Sequence, residues 1–578
     1  MKPEQITKQT AAASLGLAAI IALAGGLNSS SYGQPQSDDP QLALDAREPC
    51  AVRVAPHVHY FYQQQGKKIK GPRFAHHGWK GLLQGALHPQ GQPVGQLPLP
   101  SPKMLVILVD FTCAPPGASA TRVDPHNFDQ LFFGTVYDPP EWAPYPGHPT
   151  YGTLKNYYKE MSYGKVEFVT AHLPSQLGWA QCGKPYDHYC RADGVHDNGF
   201  GSYPENVQGL AIDAIKAVDP VVDFSQYAVN GEVPGLVFVF AGTGAEWSGD
   251  PNIIWSHQAW LSYDTGPADG YWADGVKLDT YCMISEVGGD LTGLMGMDFA
   301  RGPFPQTVGG IAHEWAHVLG VPDEYDYEGD SDGTGVYSLM SDGNWNFWCP
   351  SVSFPDFIRF MGNSPTHLDA WSKYRLGFIR PITVDSKKAL SAVMAPVELC
   401  PAVYRMDVPN SGGLEYFLLE NRQRIGFDQG LASMVSPLAP DQVLTGGHGL
   451  AIWHIDDTVL TRNYWRPNEA ANWNEFRWMP WDKVADNGET HYGISIIQAD
   501  DQWHLEHAAW AAGDEADLYP GSLGVTRFGN CTRPNSTCYY FWRGPRPTLG
   551  FSGVTASNIT ERNGVIRAKL GYADLDGR

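Results

Sequence analysis

The sequence predicts an α/β (α+β) domain followed by a mostly β, sandwich-like C-terminal region. Two apolar runs, 103–111 and 235–241, have the pattern of buried strands, and helical patterns alternate with them. Beyond about residue 382 the pattern changes to short alternating strands separated by turns, at 416–420, 449–455 and 493–498. A chain of 578 residues is also too long for one ordinary core, so several domains are expected.

Composition and net charge restrict the class of protein. The chain has 40 basic and 62 acidic residues, a net charge of −22, which argues against nucleic acid as a partner because phosphates need a basic face. Its hydrophobic content of 43% is typical of a folded protein and not of a disordered one. We therefore expect a folded protein with no nucleic-acid partner. A monomer is the default expectation.

The N-terminus has the pattern of a secretory signal peptide. Lys2 and Lys8 precede an apolar run over 11–24 that ends in small residues, and this predicts a signal peptide over 1–24. An uncleaved anchor is the alternative. No later apolar run reaches the roughly 18 residues of a membrane span, so no stable membrane insertion is expected after cleavage. The protein is expected outside the cell, or in the periplasm or cell envelope.

The most informative stretch is 309–326, GGIAHEWAHVLGVPDEYD, which contains an HExxH motif. Residues four apart share one face of a helix, so His313 and His317 can bind one metal ion. Glu314 lies beside that ion, where its carboxylate can take a proton from metal-bound water. Gly320 is placed to end the helix, because glycine tolerates the left-handed conformation found there.

A carboxylate follows the helix as a third possible ligand. Asp323 is the first candidate after the helix, and Glu324 is close enough in sequence to be the alternative. Two histidines and one carboxylate with an open fourth position are typical of catalytic Zn²⁺ and not of a closed structural site. The sequence therefore predicts a catalytic zinc centre.

The nine cysteines fit an exported protein. Cys182 with Cys190, and Cys531 with Cys538, are close enough in sequence to form local disulfides. Cys50 lies upstream of the zinc motif, where its thiolate could occupy the metal's open position in a latent precursor. A disulfide or a buried thiol is the alternative for Cys50.

Two acidic runs are candidate structural Ca²⁺ sites, because hard cations prefer clustered carboxylate and carbonyl oxygens. The first, 324–335, carries Asp326, Asp330 and Asp332, and the second spans 513–521. The first run does not match the spacing of an EF-hand. A solvated acidic loop is the alternative for the first run.

The ordered set of motifs resembles the immune inhibitor A family of secreted bacterial zinc metalloproteases, relatives of the metzincins. The resemblance covers most of the chain beyond residue 100. It rests on nine stretches: LVDF (108–111), YYKEMSYGK (157–165), IWSH (254–257), HEWAHVLGVPDEYD (313–326), SLMSDGNW (338–345), AWSKYRLG (370–377), YFLLENRQ (416–423), GLAIWHID (449–456) and ADLYPGS (516–522).

This resemblance implies a metzincin-like catalytic domain over 101–382 and a β-rich region over 383–578. It implies a zinc endopeptidase of protein or peptide substrates, made as a preproprotein, and 25–100 is placed as its pro-segment or as an N-terminal strap. It also implies three zinc ligands with Glu314 as general base and acid, and Met340 as an apolar floor. The ligands are His313, His317 and Asp323.

One departure from metzincins concerns the group that stabilises the transition state. The tyrosine that often follows the methionine turn is replaced by Ser341 and Asp342. Tyr325, Tyr327 and Tyr337 are therefore the candidate phenols, with no choice among them from sequence.

Two other functions compete with an endopeptidase. The first is a non-catalytic, calcium-stabilised surface or matrix-binding protein that retains the protease fold, although an intact Glu314 argues against it. The second is an enzyme acting on another bond, such as a small-molecule amidase or a carboxypeptidase. The long N-terminal segment and the accessory region favour a protein substrate.

Overall fold

The computed structural model describes residues 50–56, 58, 62, 65–66, 103–113, 122–139, 152–263, 266–289, 304–327, 331–349, 356–435, 443–462, 464–468, 491–507, 512–538 and 550–573. The predicted signal peptide and most of the predicted pro-segment lie outside these residues, as does Asp330. Within the described ranges, no helix combines the length and apolar character needed to cross a bilayer.

Helices and strands are numbered separately along the described chain. The α-helices are α1 (Pro125–Phe133), α2 (Leu154–Met161), α3 (Pro174–Leu177), α4 (Val207–Val218), α5 (Val308–Val318), α6 (Ala370–Arg375), α7 (Asp457–Arg462) and α8 (His504–His507). The strands of the N-terminal part are β1 (Cys50–Ala51), β2 (Leu105–Asp110), β3 (Trp179–Gln181), β4 (Glu232–Val233), β5 (Leu236–Thr243), β6 (His257–Trp260), β7 (Tyr271–Ala273), β8 (Val276–Leu278), β9 (Thr280–Gly288) and β10 (Phe304–Pro305). Those of the C-terminal part are β11 (Ile382–Thr383), β12 (Leu390–Met394), β13 (Tyr404–Asp407), β14 (Glu415–Arg422), β15 (Met434–Val435), β16 (Val443–Leu444), β17 (Gly449–Asp456), β18 (Ile494–Ile496), β19 (Arg527–Phe528), β20 (Thr537–Cys538), β21 (Gly550–Phe551), β22 (Val554–Arg562) and β23 (Val565–Tyr572).

The N-terminal part is built on a mixed sheet of order β1-β6-β9-β5-β2-β3, with β10 paired to the end of β9. Strands β3, β2, β5 and β9 are parallel, whereas β6 and β1 are antiparallel to their neighbours. Helices cover the sheet, so β5 is buried along its whole length and β2 at all but its last residue. This burial explains their continuous apolar runs, and both predicted strands are confirmed.

Helix α5 carries the HExxH motif and packs against this sheet. Ile311 and Trp315 are buried, and the Trp315 ring lies edge-on to Phe168 at 5.5 Å. The helix ends at Val318, and Gly320, two residues further on, has a left-handed φ of +92°. The Val321 N–H then bonds the Ala316 carbonyl at 3.1 Å and closes the last turn. The predicted helix and its glycine stop are confirmed.

Two other predicted elements are shorter in the structure. The sequence over 367–379 predicts one helix, but the structure has only α6 there, because Asp369 caps its start and Gly377, at φ +70°, follows its end. The sequence after Gly164, up to Phe168, predicts a strand, but the structure has only a single bridge nearby, between Lys103 and Val169.

The C-terminal part contains a five-stranded sheet, β11-β13-β14-β17-β18, and a four-stranded sheet, β12-β23-β22-β19. One apolar core includes side chains of both sheets, among them Phe417 and Ile452 from the first and Ala556 and Ile566 from the second. The predicted strands at 416–420, 449–455 and 493–498 correspond to β14, β17 and β18.

The C-terminal part also contacts the loop that follows α5. The Tyr464 hydroxyl donates to the Gly320 carbonyl at 2.5 Å, and the Asn468 amide donates to the Glu324 carbonyl at 2.8 Å. These bonds hold the backbone between Gly320 and Glu324 from outside the helix. The course of that loop therefore depends on residues well over a hundred positions away.

The two predicted local disulfides are not formed. The Cys182 and Cys190 thiols each point to a backbone carbonyl, of Lys184 at 3.4 Å and of Pro251 at 3.7 Å. Cys531 is exposed, whereas Cys538 is buried and points to the Gly550 carbonyl at 3.2 Å. Closeness in sequence did not bring either pair of sulfur atoms together.

Candidate metal centre

Helix α5 places three functional side chains of the motif in the interior. His313 and Glu314 are fully buried and His317 is 2% exposed. The histidines are one turn apart, so both rings project from the same face. Their Nε2 atoms are 3.1 Å apart.

The second nitrogen of each ring fixes which tautomer is present. His313 Nδ1 lies 2.9 Å from the Leu339 carbonyl, and His317 Nδ1 lies 2.7 Å from the Val321 carbonyl. A carbonyl only accepts, so each Nδ1 must carry the proton and each Nε2 a lone pair. Two lone pairs therefore face each other across a buried space.

Asp323 is the carboxylate that the structure brings to the histidines. Its Oδ1 is 3.0 Å from His313 Nε2 and 3.3 Å from His317 Nε2. Among the described residues, Oδ1 has no hydrogen-bond donor.

Glu324 points elsewhere. Its carboxylate accepts hydrogen bonds from Ser372 Oγ at 2.9 Å and Thr334 Oγ1 at 3.0 Å. Burial and the neighbouring Asp369 carboxylate raise its pKa. Of the two acids that the sequence left open, the structure brings Asp323 and not Glu324 to the histidines.

The three converging atoms fit a small divalent cation. A tetrahedral Zn²⁺ with bonds of 2.0–2.2 Å holds its ligand atoms roughly 3.3 Å apart. The separations of 3.0, 3.1 and 3.3 Å are close to that value. Without a cation, two nitrogen lone pairs and one carboxylate would repel each other in a buried space, so His313, His317 and Asp323 could hold the metal.

Glu314 lies beside this cluster with both carboxylate oxygens buried and, within the described chain, without a hydrogen-bond partner. Burial raises its pKa well above the usual range, and the Asp323 and Glu246 carboxylates raise it further. The backbone N–H groups of Val52 and Gln258 partly offset this rise but do not reach hydrogen-bonding geometry. Such a carboxylate is suited to accepting and returning a proton.

The turn that contains Met340 lies against the histidines. Met340 is fully buried, the Ser341 N–H bonds the Ser338 carbonyl at 3.1 Å, and Leu339 supplies the carbonyl that orients His313. The Met340 carbonyl accepts from the Glu324 N–H at 2.8 Å. The turn thus supports both the first histidine and the loop that carries Asp323.

Two of the three candidate phenols lie at this cluster. The Tyr325 ring stacks on His313, with ring centres 6.4 Å apart, and its hydroxyl donates to the Ala51 carbonyl at 2.6 Å. The Tyr327 hydroxyl donates to Asp323 Oδ2. Tyr337 donates to Asp517 Oδ2 at 2.8 Å instead, in the C-terminal part.

The site also contains a segment from the N-terminal part of the chain, whose position the sequence pattern does not indicate. We call residues 50–56 the cleft segment; all seven are buried, and the Cys50 sulfur lies near the metal cluster. The distances that join the Cys50 sulfur, a ring nitrogen of His317 and a carboxylate oxygen of Asp323 are all within 4.8 Å. The sequence suggests that Cys50 could lie at the metal position, but it gives no sign of a buried Arg53, because 40–100 shows no periodic pattern that marks a buried strand.

The two acidic runs that were predicted to bind Ca²⁺ have different surroundings. In the first run, Asp332 accepts from Arg53 at 3.1 Å, and Asp326 accepts from Ser331 Oγ at 3.1 Å. At the second run, Asp514 lies with Asp500 and His504 in a partly exposed group whose possible ligand atoms are within 4.8 Å of one another.

Comparison with known proteins relates the sequence of this chain to peptidases. A family model described as "Immune inhibitor A peptidase M6, catalytic domain" matches residues 98–363. Immune inhibitor A of Bacillus thuringiensis subsp. alesti is 32% identical over 217 residues, which cover 33% of this chain and 28% of that protein. Pre-pro-metalloprotease PrtV of Vibrio cholerae serotype O1 (strain M66-2) is 24% identical over 304 residues, 47% of this chain and 29% of that protein. The chain thus aligns with under a third of either relative, and the resemblance drawn from the motifs is confirmed.

Proposed function

We propose that the chain is a zinc-dependent endopeptidase of protein substrates. The premise is that residues 98–363, which match the model of the immune inhibitor A peptidase catalytic domain, perform the chemistry of that family. The observation that carries the proposal is the convergence of two imidazole lone pairs and one carboxylate beside a buried glutamate that has no hydrogen-bond partner in the described chain. His313, His317 and Asp323 are the ligands in this proposal. When bound, Zn²⁺ supplies a Lewis acid that polarises a carbonyl and lowers the pKa of water to about 7.

Glu314 is the general base and acid. Its carboxylate accepts a proton from the attacking water and returns that proton to the leaving amine. The apolar surroundings that raise its pKa make the protonated form accessible at this step. Because its oxygens have no hydrogen-bond partner among the described residues, the carboxylate is able to change partners during the reaction.

Tyr325 is the better of the two phenols for stabilising the transition state. Its hydroxyl already donates to a peptide carbonyl, that of Ala51, beside the metal cluster. A substrate carbonyl in the same position would receive the same hydrogen bond as its oxygen gains negative charge. Tyr327, which bonds Asp323, is suited instead to orienting that ligand.

An extended peptide fits the edge of β6. In this structure β1 pairs with β6 in antiparallel register, with Cys50 opposite Gln258 and Ala51 opposite His257. Without β1, the backbone groups of β6 would be open to another extended chain. A site that takes a strand favours a protein substrate over a small amide.

The wider assignments are proposals on the same footing. They are the metzincin-like catalytic domain over 101–382, the sandwich-like region over 383–578, the signal peptide over 1–24, the pro-segment over 25–100, secretion, latency and a monomeric state. Two packed sheets sharing one core support the sandwich-like region. For the structural Ca²⁺ ion, Asp500 and Asp514 offer carboxylate oxygens, whereas the neighbouring His504 is not a calcium ligand. A rise in melting temperature on adding Ca²⁺ would test this assignment.

The test compares metal content and cleavage of unfolded casein for the wild type and Glu314→Gln, both after removal of residues before about 100. We expect about one zinc ion per chain in both proteins, and a loss of roughly 10²–10⁴-fold in rate for the variant. Glu160→Gln is the matched control. Glu160 lies on α2, where its carboxylate accepts from the Phe427 N–H and contacts His367 Nε2. This variant should retain activity.

The competing functions give different results. Zinc binding with no cleavage by either protein would favour the non-catalytic binding protein. Cleavage of short blocked amides or of C-terminal residues, but not of internal bonds in casein, would favour the amidase or carboxypeptidase. Undiminished casein cleavage by Glu314→Gln would contradict the assignment of the base.

A further inference from the structure

The cleft segment occupies the edge of the sheet beside the metal cluster. Cys50 and Ala51 form β1 on β6, and the Val52 N–H continues the pairing to the Ser256 carbonyl at 3.3 Å. The Ala55 N–H then bonds the Glu246 carbonyl at 2.8 Å. The segment is therefore added to the sheet as an extra strand and does not lie loosely on the surface.

Side chains from three separate parts of the chain bond the carbonyls of this segment. Tyr325 donates to Ala51 at 2.6 Å, and two tryptophans do the same for the next residues. Trp255 Nε1 donates to the Val52 carbonyl at 2.6 Å, and Trp345 Nε1 donates to the Arg53 carbonyl at 3.1 Å. Three consecutive carbonyls are thus satisfied by buried donors, which fixes the register of the segment.

Arg53 holds the segment by charge. Its guanidinium donates to Asp342 Oδ2 at 2.8 Å, to Asp332 Oδ1 at 3.1 Å and to the Ser331 carbonyl at 3.3 Å. All three residues are buried. Withdrawing Arg53 would leave two buried carboxylates without this cation, so the ion pairs oppose release of the segment.

This register brings Cys50 to the ligands. The ring nitrogen of His317, the carboxylate of Asp323 and the Cys50 sulfur share one buried cluster, and Asp323 Oδ1 has no hydrogen-bond donor in the described chain. Thiolate sulfur is a preferred ligand of Zn²⁺. We propose that Cys50 is the fourth metal ligand in a latent form of the protein, and that Arg53 and the β1–β6 pairing hold it there.

The proposal rests on the proposed peptidase function and adds its regulation. Coordination replaces the thiol proton, which is released to solvent, so Cys50 binds as a thiolate. Its sulfur takes the position that a water and the substrate carbonyl need, while β1 takes the edge that an extended peptide needs. The cleft segment therefore blocks both the open position of the metal and the edge of β6.

The first test uses the full chain loaded with Co²⁺ in place of zinc. A thiolate bound to Co²⁺ gives a charge-transfer absorption in the near ultraviolet, and nitrogen and oxygen ligands do not. We expect this band in the wild type and its loss in Cys50→Ser. Loss of a group that only orients a metal ligand lowers metal affinity by roughly 10–100-fold, and we expect loss of Cys50 to lower it by at least that factor.

Cys282→Ser is the matched control. Cys282 is also buried near α5, but its thiol points to the Glu314 backbone carbonyl at 3.4 Å and is absent from the ligand cluster. The control should keep the charge-transfer band. A band that survives in Cys50→Ser, or that is lost only in Cys282→Ser, would overturn the proposal.

The second test separates this proposal from the peptidase assignment. The Cys50→Ser/Arg53→Gln full chain should cleave casein at least about tenfold faster than the wild-type full chain, because both the ligand and its anchor are removed. Equal rates in the two full chains, with activity appearing only after removal of residues before 100, would refute the Cys50 latch and leave the peptidase intact. Loss of the Co²⁺ band in Cys50→Ser with no cleavage by any form would retain Cys50 as a ligand and refute the peptidase.

Discussion

Replacing Asp323 by asparagine converts one buried carboxylate into an amide of nearly the same volume. The new amide can turn its NH₂ group toward the two Nε2 lone pairs, which lie 3.0 and 3.3 Å from Oδ1. The substitution thus removes a negative ligand and supplies hydrogen bonds that compete with the metal. It should leave the fold intact, because the site is then satisfied without a cation.

The expected loss of metal affinity follows from this geometry. Losing a group that only orients a ligand costs roughly 10–100-fold in affinity, so losing the ligand itself should cost at least about 100-fold. That factor corresponds to about 2.7 kcal/mol, since each tenfold change is about 1.4 kcal/mol. Competition with a chromophoric zinc chelator measures it directly.

Glu324→Gln is the control, one residue along the same loop. Because burial and Asp369 raise the pKa of Glu324, its neutral form resembles the amide. Ser372 and Thr334 bond different oxygens of Glu324, so one hydroxyl can keep donating to the amide oxygen and the other can accept from the new NH₂ group. Metal affinity should stay within about threefold of the wild type, and stability should change by roughly 1 kcal/mol. The reasoning is refuted if Glu324→Gln loses the metal while Asp323→Asn keeps it.

Three further predictions concern stability, each read by thermal or urea unfolding. Gly309→Ala should cost about 1–3 kcal/mol, because a Cβ there would lie 2.0 Å from the Asn344 carbonyl oxygen. Arg422→Met should cost about 3–5 kcal/mol, because Arg422 Nε donates to the buried Asp428 carboxylate at 2.6 Å and the variant leaves that charge unpaired. Burial, with the nearby Asp514 carboxylate, raises the pKa of Asp517 to about 8, so the folded protein holds that proton more tightly than the unfolded chain does. Stability from this group is therefore complete below about pH 4 and declines as the pH rises to about 8, and Asp517→Asn should remove that decline.

Each of these has a result that would contradict it. An unchanged melting temperature for Gly309→Ala would mean that the α5 backbone moves away from Asn344 without cost. Wild-type stability in Arg422→Met would mean that water or another cation reaches Asp428. For Asp517, the contradicting result is a pH profile that is equally steep with and without the carboxyl group.

Local features of the sequence predicted much of the catalytic region. The spacing of His313 and His317 fixes their common face through the helical repeat, and Gly320 ends α5 because its φ of +92° is costly for other residues. Strands β2 and β5 were recognisable because burial on both faces requires continuous apolar runs. These features depend only on neighbours within a few residues.

Other predictions failed or stayed open because their causes are not local. The helix over 367–379 was predicted too long, since the position of Gly377 at φ +70° outweighs the apolar pattern beyond it. Cysteines eight positions apart or fewer stayed unbridged because folding directs Cys182 and Cys190 to different carbonyls. Sequence spacing measures the length of chain between two sulfur atoms and not their directions.

The sequence by itself determined the metal motif, its helix and the β-rich character of the C-terminal part. Only the tertiary structure shows that Asp323, and not Glu324, lies at the two histidines. Neighbouring side chains on a loop point in different directions, and bonds from Tyr464 and Asn468 set the course of that loop. Only the tertiary structure brought Cys50, from the segment predicted as the pro-segment, to His317. Contacts between distant segments depend on how all the intervening elements pack, and no local pattern in the sequence encodes that packing.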